Sequence, residues 1–526
     1  MALFVWDCLL CLLPYLFLFL LCLVVRWAAI RHWTGRPVRT EEEPRLICKP
    51  TALAKYLTQH CGSLARARLA PWPKGDPHVQ TLCSLLCDQL EDTIQFTREN
   101  LLLRDGGIVA LDWAVGTRWG EKVARKRWDG RKEHQLGGKT LGCFTSTPPV
   151  LLLIPQSWVG MTPHLKALAH QAMRQGFYVA VFHHRGTAGC PLTTARLTEF
   201  GDPTDLEQVV NYVHSCHPSS VLVAVSEGSG SGVLLSYLGE CGSNTYLTAA
   251  AAISPVLLGQ LWFETPMPVM YRWGALFLRK LPLRRYTNSF RAVVDVDQAL
   301  RSSSLRDFEE TLFCSSAQNQ HQLTNNLNSR LNPGPHHTWD VAPSAAWMLG
   351  ERAFPAKDWD SYWERNEPLR DADEVAVPVL CICSSDDPLL PHVNTLPIPL
   401  FQSNPYFFLA LTDRGGHCGF TTEDHETGER SNNEEVGGGF WSHTAVLEYF
   451  RVVADFLKGE ERIWVSCGDA QGEYAGQAGQ RNRTSGRGSP RRRRTSVMRR
   501  PRPQETGSSN LDAVEGTFTW KRSYTR

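Results

Sequence analysis

From Pro148 onward, short apolar runs alternate with amphipathic segments, and this alternation restricts the fold more than any other feature of the sequence. The runs are apolar at successive positions rather than at every second one, as in strands that are buried on both faces of a sheet. The segments between them repeat apolar residues at helical spacing and suit crossover helices. The pattern predicts a doubly wound, mostly parallel α/β sheet. The predicted strands are residues 150–154, 178–182, 221–225, 247–253, 379–383 and 406–411, and the clearest crossover helices are residues 163–175 and 205–215.

Other segments surround this pattern and define the predicted domain organisation. The Asp105-Gly106 turn joins two strand-like runs into an antiparallel hairpin that extends the sheet. A turn-rich segment before the hairpin predicts a wrap or lid, and a long break in the alternation predicts an inserted helical cap with a loose polar loop at 318–337. The predicted domains are an anchor or signal at 1–30, the wrap at 31–100, an α/β core at 101–458 with its cap at about 263–367, and a disordered basic tail at 459–526.

The N-terminus is apolar from Cys8 to Val25 apart from Pro14, which is about the length that crosses a bilayer core. Arginines follow this run, and no basic residue precedes it. This asymmetry predicts a single-pass signal anchor, with the rest of the chain facing the cytosol at the endoplasmic reticulum. The alternative is a cleaved signal and a secreted chain, because Ala28 and Ala29 provide small residues near a suitable cleavage point.

Composition and charge exclude several classes of function. With 42% hydrophobic residues the chain can bury a large core, and its formal net charge of +2 gives no general attraction to nucleic acid. The 16 cysteines lack the spacing of a disulfide framework or of a structural zinc site, so they predict reduced, mostly buried thiols. Histidines such as His183 and His184 are interpreted as surface or local polar residues. We therefore expect neither a metal nor a cofactor.

The most informative turn follows the apolar run at 221–225, where a glycine- and serine-rich stretch leads into a helical segment. A sharp strand-to-helix turn of this kind presents the nucleophile in many α/β enzymes and requires small residues. Two registers compete. In the first, Ala224-Val225-Ser226-Glu227-Gly228 is a Gly-x-Ser-x-Gly variant and Ser226 attacks the substrate. In the second, the turn is Ser226-Glu227-Gly228-Ser229-Gly230, and Gly228 at its tip provides no nucleophile.

The other parts of a catalytic relay follow later strands. Asp387 comes directly after the run at 379–383 and is the preferred acid, with Asp386 as the alternative. His417 lies on a glycine-rich loop after the run at 406–411. An acid and then a histidine, each after a strand, is the order in which a carboxylate orients a catalytic base. Either feature alone is commonly structural, whereas the two in this order favour a charge relay.

These residues resemble the α/β-hydrolase superfamily, in particular its N-terminally membrane-anchored, lipase- and carboxylesterase-like branch of the AB hydrolase 4 type. The similarity extends from about Pro77 to Lys458. It implies an eight-stranded sheet, a Ser-Asp-His relay and acyl-ester substrates such as acyl lipids. Its marks are Pro77-His78-Val79-Gln80-Thr81, Phe182-His183-His184-Arg185-Gly186-Thr187-Ala188-Gly189, Asp202-Pro203-Thr204-Asp205-Leu206, Ser236-Tyr237-Leu238-Gly239, Ser384-Ser385-Asp386-Asp387-Pro388 and Gly415-Gly416-His417-Cys418-Gly419-Phe420.

The resemblance also implies a register for the turn. Counting inward from Pro218 and from Tyr237-Leu238-Gly239 places Gly228 where the family has its serine. Ser229 then follows the tip, and its backbone N–H is an expected oxyanion donor. Gln156 occupies the second oxyanion position, where the family usually has glycine, and its side chain would fill space reserved for the substrate.

Two functions remain open at this point. The first is a catalytically impaired, hydrolase-fold regulator of lipid metabolism that binds an acyl lipid or a protein partner at a membrane. The second is an active carboxylic-ester hydrolase of the lipase or phospholipase type, with Ser226 or Ser229 as nucleophile, His417 as base and Asp387 as the orienting acid. Whether the chain is an enzyme depends on which residue occupies the tip of the turn.

Overall fold

A computed structural model of the chain describes residues 44–70, 75–87, 94–115, 147–157, 159–291, 293–314, 354–422 and 439–472. These residues contain a nine-stranded sheet. The six runs predicted from Pro148 onward all form strands, and these pair with one another in parallel. The predicted mostly parallel α/β sheet is therefore confirmed. The strands are β1 (Arg45–Ile47), β2 (Gln95–Leu102), β3 (Ile108–Val115), β4 (Val150–Ile154), β5 (Tyr178–His183), β6 (Leu222–Glu227), β7 (Ala249–Ile253), β8 (Val379–Ser384) and β9 (Phe407–Thr412).

The strand order is β1-β9-β8-β7-β6-β4-β5-β3-β2. The hairpin predicted at Asp105-Gly106 is present, because β2 and β3 pair antiparallel from Leu102 and Ile108 outward. It joins the sheet through antiparallel pairing of β3 with β5. The central strand β6 lies between β4 and β7, and the turn that follows β6 is thus at the middle of the sheet.

The expected number of eight strands is too low by one, since β1 forms the far edge of the sheet. Its residues pair antiparallel with β9, with Arg45 opposite Leu411 and Ile47 opposite Leu409. A strand of three residues is too short to show alternation in the sequence, and it forms only through pairing with a distant partner. The predicted wrap at 31–100 therefore contributes to the sheet itself.

Helices cover both faces of the sheet. Several of them begin with a side-chain cap: for example, the Asp76 carboxylate accepts from the His78 and Val79 amides, and the Thr162 hydroxyl accepts from the Leu165 amide. The helices are α1 (Ala52–His60), α2 (Gly62–Ala65), α3 (Pro77–Leu86), α4 (Pro163–Arg174), α5 (Thr204–Cys216), α6 (Ser231–Cys241), α7 (Gly259–Glu264), α8 (Val269–Arg285), α9 (Thr287–Phe290), α10 (Val296–Arg301), α11 (Leu305–Phe313), α12 (Trp359–Asn366), α13 (Ile398–Ser403) and α14 (Trp441–Gly472).

The apolar core has one layer on each side of the sheet. Alternate strand residues such as Val223 and Val225 pack against α1, α4 and α14. The residues between them, such as Leu222 and Ala224, pack against α5, α6 and α13. Because every strand from β4 to β9 except the first residue of β5 is buried, both faces are covered, as the continuous apolar runs predicted.

The segment between β7 and β8 forms the helical cap, from α7 to α12. Its own core is rich in aromatic residues. The Phe263 ring packs against the rings of Trp262 and Trp363, and Trp363 also packs against Tyr362. Inside this core the Glu309 carboxylate accepts from the Tyr362 hydroxyl at 3.0 Å. The described helices of the cap thus pack around a core of their own.

Several predicted segments lie outside the described residues. These are the anchor at 1–30 and the polar loop at 318–337. The predicted tail beyond Gly472 also lies outside them, and α14 continues past Lys458 to Gly472. Within the part of the chain that the structure describes, no helix is both long enough and apolar enough to span a bilayer.

Candidate catalytic site

The turn after β6 places Gly228 at its tip. Gly228 has a φ of +50°, begins a short 3₁₀ turn that ends at Gly230, and is followed directly by α6. This is the strained strand-turn-helix of a nucleophile elbow. An ideal Cβ on Gly228 would lie 2.9 Å from His417 Nε2, and 3.1 Å from Cδ and 3.2 Å from Cγ of Gln156. The tip of the turn therefore points at the imidazole.

Two further glycines let this turn fit against its neighbours. A Cβ on Gly230 would lie 2.3 Å from the Pro155 carbonyl oxygen, and a Cβ on Gly232 would lie 2.7 Å from the Phe200 ring. No side chain can be accommodated at such distances without moving backbone or a buried ring. The glycine-rich sequence thus follows from the close packing of β6 and α6 against the loop after β4.

Ser226 is a strand residue and lies two positions before the tip. It pairs with Ile154 on one side and with Ala252 on the other, and it is fully buried. Side chains alternate along a strand, so Ser226 faces the opposite side of the sheet from Glu227, which accepts from Thr162 Oγ1 at 2.7 Å. The Ser226 hydroxyl has no hydrogen-bond partner among the described residues.

Ser229 follows the tip, and its hydroxyl is used by the neighbouring loop. Its Oγ accepts from the Ser157 amide at 3.1 Å, while the Ser157 hydroxyl lies 3.5 Å from the Ser229 carbonyl oxygen. Gln156, the other predicted oxyanion residue, places its side chain beside Gly228, and its Nε2 is buried without a partner among the described residues. The structure thus brings Gln156, Ser229 and the tip together.

Asp387 and His417 form a hydrogen-bonded pair. Asp387 lies on the loop after β8 and His417 on the loop after β9, and Asp387 Oδ2 is 2.9 Å from His417 Nδ1. The other carboxylate oxygen of Asp387 accepts from the amides of Leu389 and Leu390, which fixes its orientation. His417 Nε2 is left facing the elbow, which is the arrangement of a catalytic base and its orienting acid.

Asp386, the alternative acid, has a different contact. Its Oδ1 accepts from the Gly416 amide at 2.9 Å, so it holds the backbone of the histidine loop rather than the imidazole. Burial is the main cause that raises the pKa of Asp386, to about 6, and the Gly416 amide opposes this rise. The geometry therefore assigns the two neighbouring aspartates to different tasks.

Helix α3 clamps the histidine loop from the N-terminal side. The His417 amide donates to Thr81 Oγ1 at 2.9 Å, and the Ser84 hydroxyl donates to the His417 carbonyl oxygen at 3.0 Å. A Cβ on Gly416 would lie 2.5 Å from the Pro77 carbonyl oxygen, so the loop approaches α3 as closely as glycine permits. Thr81 and Ser84 were not among the residues predicted for the site. Thr81 belongs to one of the family marks in the sequence, but nothing in that pattern indicated its partner.

Backbone strain is concentrated around the relay. Ser254, Cys418 and Phe420 have φ values of +47°, +58° and +45°, which are unusual for residues other than glycine. The Cys418 amide donates to Ser254 Oγ at 2.9 Å and links two of these strained positions. Such strain is maintained only where surrounding contacts enforce it, and it is common at functional sites.

Burial and the neighbouring charge have opposite effects on the pKa of His417. Burial alone would lower its pKa, but the Asp387 carboxylate outweighs this effect and raises the pKa well above the ordinary value. The pair is enclosed, since His417 is 4% exposed. The Asp387 carboxylate therefore favours the protonated, positively charged form of the His417 imidazole.

Two helices of the cap, α7 and α8, contact residues next to the relay. The Tyr271 hydroxyl on α8 lies 2.9 Å from His78 Nδ1 on α3, and the Trp262 indole on α7 donates to the Leu389 carbonyl oxygen beside Asp387. Burial, followed by the charges of Asp76 and Asp387, raises the pKa of Tyr271 to about 12. The relay thus lies beneath α7 and α8.

A cavity of about 50 Å³ lies between the cap and the core. Ser157 and His184 line it on the core side and Arg279 and Tyr286 on the cap side. It adjoins the elbow only through Ser157, and its lining includes neither Gly228 nor His417. The interpretation as surface or local polar residues fits His183, which is a local polar residue bonded to Asp112. It is wrong for His184, which is buried with both ring nitrogens unpartnered among the described residues.

Other candidate chemistry is not supported by the described residues. They contain no cluster of histidine, cysteine or acidic side chains that could hold a metal ion. Eleven cysteines whose side chains the structure describes are free thiols, and five of them are buried.

The sequence has clear relatives. The chain is 41% identical over 484 residues to Protein ABHD15 of Homo sapiens, an alignment that covers 91% of this chain and 85% of the relative. It is 25% identical over 387 residues to Phospholipase ABHD3 of Mus musculus, covering 72% of this chain and 79% of the relative. A solved esterase of Pyrococcus furiosus, PF2001, aligns with a TM-score of 0.33 and 14% identity over 62% of this chain and 84% of the esterase. No protein-family model matches the chain.

Proposed function

The chain belongs to the α/β-hydrolase superfamily, in the group of Protein ABHD15, and from this premise we propose that it is a catalytically impaired regulator of lipid metabolism. It binds an acyl lipid, with a protein partner as a second binding role, at a membrane that its N-terminal segment enters. The anchor holds it at the endoplasmic reticulum with the hydrolase domain in the cytosol. Turnover of ordinary esters is lost because Gly228 at the tip of the turn supplies no hydroxyl.

The contact between the tip and the imidazole carries this proposal. A Cβ at position 228 would lie 2.9 Å from His417 Nε2, so a serine there would adjoin the base once the imidazole and the Gln156 side chain shift by a few tenths of an ångström. The base is paired with its orienting acid, and the tip residue provides no nucleophile. Without that nucleophile, only the small rate provided by binding and oxyanion contacts remains.

His417 and Gln156 suit binding of the carboxyl or ester group of an acyl lipid. The His417 imidazolium is a cation, and the Gln156 amide has an unpartnered Nε2 beside it. Both can donate hydrogen bonds to a carboxyl or ester oxygen. Support for a lipid ligand comes from the similarity to a phospholipase, Phospholipase ABHD3, whose activity belongs to that relative.

The alternative, an active ester hydrolase, requires one of the flanking serines. Ser226 would have to leave its buried position in β6, and Ser229 would have to release the hydrogen bond from Ser157. Either change would displace the elbow from the imidazole that its tip now faces.

A fluorophosphonate probe tests the proposal on the full-length chain in detergent micelles. We expect no labelling of the native chain and clear labelling of Gly228→Ser, which His417→Ala in the same chain abolishes. Gly274→Ser is the matched control, because a Cβ on Gly274 meets nothing within 4 Å. Labelling of the native chain that disappears in Ser226→Ala or Ser229→Ala would instead establish the active hydrolase.

A further inference from the structure

Helix α8 in the cap turns large apolar side chains toward solvent. Met270 is 68% exposed, Trp273 69%, Phe277 61% and Leu281 43%. Single exposed apolar residues are ordinary on protein surfaces, but a contiguous set on one helix indicates a binding surface. We call these four residues the outer stripe of α8.

The spacing of the outer stripe places it on one side of the helix. Its members follow one another at intervals of three or four residues, which brings them into line along an α-helix. The opposite side carries Tyr271, Leu276 and Leu283, which are buried in the molecule. Because α8 is apolar on both sides, burial against the cap explains only the inner one.

The charges of α8 indicate which kind of partner covers the outer stripe. The helix contains five basic residues and no acidic one. Arg279 pairs with Glu309, and Lys280 donates to the carbonyl oxygens of Leu300 and Ser302, so these two cations serve the interior of the cap. Arg284 and Arg285 are exposed at the C-terminal end of the stripe. An apolar stripe that includes tryptophan and ends in arginines matches a helix lying in an anionic lipid interface.

The location of α8 gives the stripe a functional context. Its inner residue Tyr271 lies 2.9 Å from His78 on α3 and is close enough to Asp387 for that charge to act on it. Helix α3 also exposes apolar residues at helical spacing, at Val79, Leu82 and Leu86. Two helices next to the relay therefore expose apolar side chains.

We propose that the outer stripe of α8 inserts into the outer layer of an anionic lipid surface, with Arg284 and Arg285 contacting lipid phosphates. Tryptophan favours that boundary because its ring is apolar and its N–H is polar. This contact is separate from any N-terminal anchor, and it deepens the proposed function by bringing the relay to a lipid surface. A protein partner or a second copy of the chain is the competing occupant.

Photolabelling by lipid measures this contact even if the N-terminus is already in the bilayer. The full-length chain is reconstituted into bilayers of phosphatidylcholine, with or without phosphatidylserine, that contain a phospholipid with a photoactivatable diazirine near its head group. After irradiation, adducts are mapped by mass spectrometry. We expect adducts on residues 269–281, several-fold more in the presence of phosphatidylserine, and none at Leu102, which is 73% exposed on β2.

Matched variants make the result specific. Trp273→Ser combined with Phe277→Ser should remove most adducts on α8, whereas Leu102→Ser should leave them unchanged. Arg284→Gln combined with Arg285→Gln should abolish the increase in α8 adducts that phosphatidylserine causes. The fluorophosphonate result for Gly228→Ser is independent of these variants, so failure of the lipid contact is distinguishable from failure of the proposed function.

Three outcomes would overturn the proposal. The first is adducts confined to the N-terminal segment. The second is adducts on α8 that do not change in the Trp273→Ser/Phe277→Ser variant. The third is chemical cross-linking of α8 to a second copy, or to another segment of the same chain, in place of lipid adducts.

Discussion

A β-carbon on Gly228 would lie 2.9 Å from Nε2 of His417, although position 228 provides no side chain to use that imidazole. His417 is nevertheless paired with Asp387 and held at its backbone by Thr81. In the proposed binding role, this ordered position lets His417 act as a cation that orients the carboxyl or ester group of an acyl lipid.

The Gln156 side chain crowds the position of a serine introduced at residue 228 and should limit its rate of ester hydrolysis, which is the first prediction. Its Cγ and Cδ lie 3.2 and 3.1 Å from the Cβ position of residue 228. We expect Gly228→Ser to hydrolyse a short p-nitrophenyl ester slowly, and Gly228→Ser with Gln156→Gly to be about tenfold faster, because space at the oxyanion position is regained. Initial rates at matched enzyme concentration measure this.

The single variant Gln156→Gly is the control for the first prediction. It should remain inactive, since it opens space without adding a nucleophile. Hydrolysis by Gln156→Gly alone, lost on Ser229→Ala, would show that Ser229 attacks once the glutamine is removed.

The sequence predicted those parts of the fold that depend on local patterns. Continuous apolar runs identify strands buried on both faces, and the strands β4 to β9 lie where such runs occur. Because the carboxyl ends of parallel strands share one edge, residues following β6, β8 and β9 could be expected to meet. This reasoning places Gly228, Asp387 and His417 together without knowledge of any contact.

The parts that the sequence did not predict depend on distant contacts. The Thr81 hydroxyl meets the His417 amide across 336 positions of sequence, and three-residue β1 exists only through pairing with β9. Gln156 differs from these: its side chain was expected to fill space reserved for the substrate, and it lies beside Gly228 at the tip of the elbow. Burial of His183 and His184 results from packing around β5 rather than from a local pattern.

The raised pKa of His417 leads to a pH-dependent stability, the second prediction. A histidine whose pKa is raised by folding stabilises the fold fully below its unfolded pKa of about 6.5, and this stabilisation is lost as pH rises through the higher folded pKa. Asp387→Asn removes the charge responsible. We expect it to lower the free energy of unfolding by about 3 kcal/mol near pH 6, and by clearly less near pH 9.

Urea unfolding of the native chain and Asp387→Asn at several pH values measures this difference. Asp373→Asn, remote from the imidazole on a 3₁₀ turn, is a suitable control and should show no comparable trend. A destabilisation by Asp387→Asn that is equal at pH 6 and pH 9 would exclude the charged pair as its cause.

Asp386 also makes the stability of the native chain fall as pH rises, in a window below that of His417, and this is the third prediction. Its carboxyl has a pKa raised to about 6, mainly by burial, so the folded state holds a proton that the unfolded state has already lost between about pH 4 and 6. Ionisation in this window therefore costs stability as pH rises. Asp386→Asn keeps an oxygen for the Gly416 amide and removes the charge, so we expect it to gain about 1 kcal/mol at pH 7 relative to pH 4.

The same urea titrations decide the third prediction. A variant Asp386→Ala tests the hydrogen bond separately, since it leaves the Gly416 amide without its acceptor and should be less stable than Asp386→Asn at both pH values. If Asp386→Asn lost stability at pH 7 relative to pH 4, the ionised carboxylate would have to stabilise the fold, contrary to the effect of burial.

The fourth prediction concerns Thr81, which positions His417 without touching a ligand. Thr81→Val keeps the shape of the side chain but removes the oxygen that accepts from the His417 amide. A buried amide left without a partner costs about 1–3 kcal/mol, so the free energy of unfolding should fall by that amount. Thr58→Val is the control, because Thr58 is exposed and bonds only within its own helix turn.

A readout at the site separates positioning from stability alone. In a Gly228→Ser background, Thr81→Val should reduce the fluorophosphonate labelling rate about tenfold or more, because the imidazole is no longer fixed toward the elbow. Thr58→Val should leave that rate unchanged. If Thr81→Val destabilises the fold but the labelling rate at a temperature well below unfolding is unaffected, Thr81 supports the loop without orienting the base.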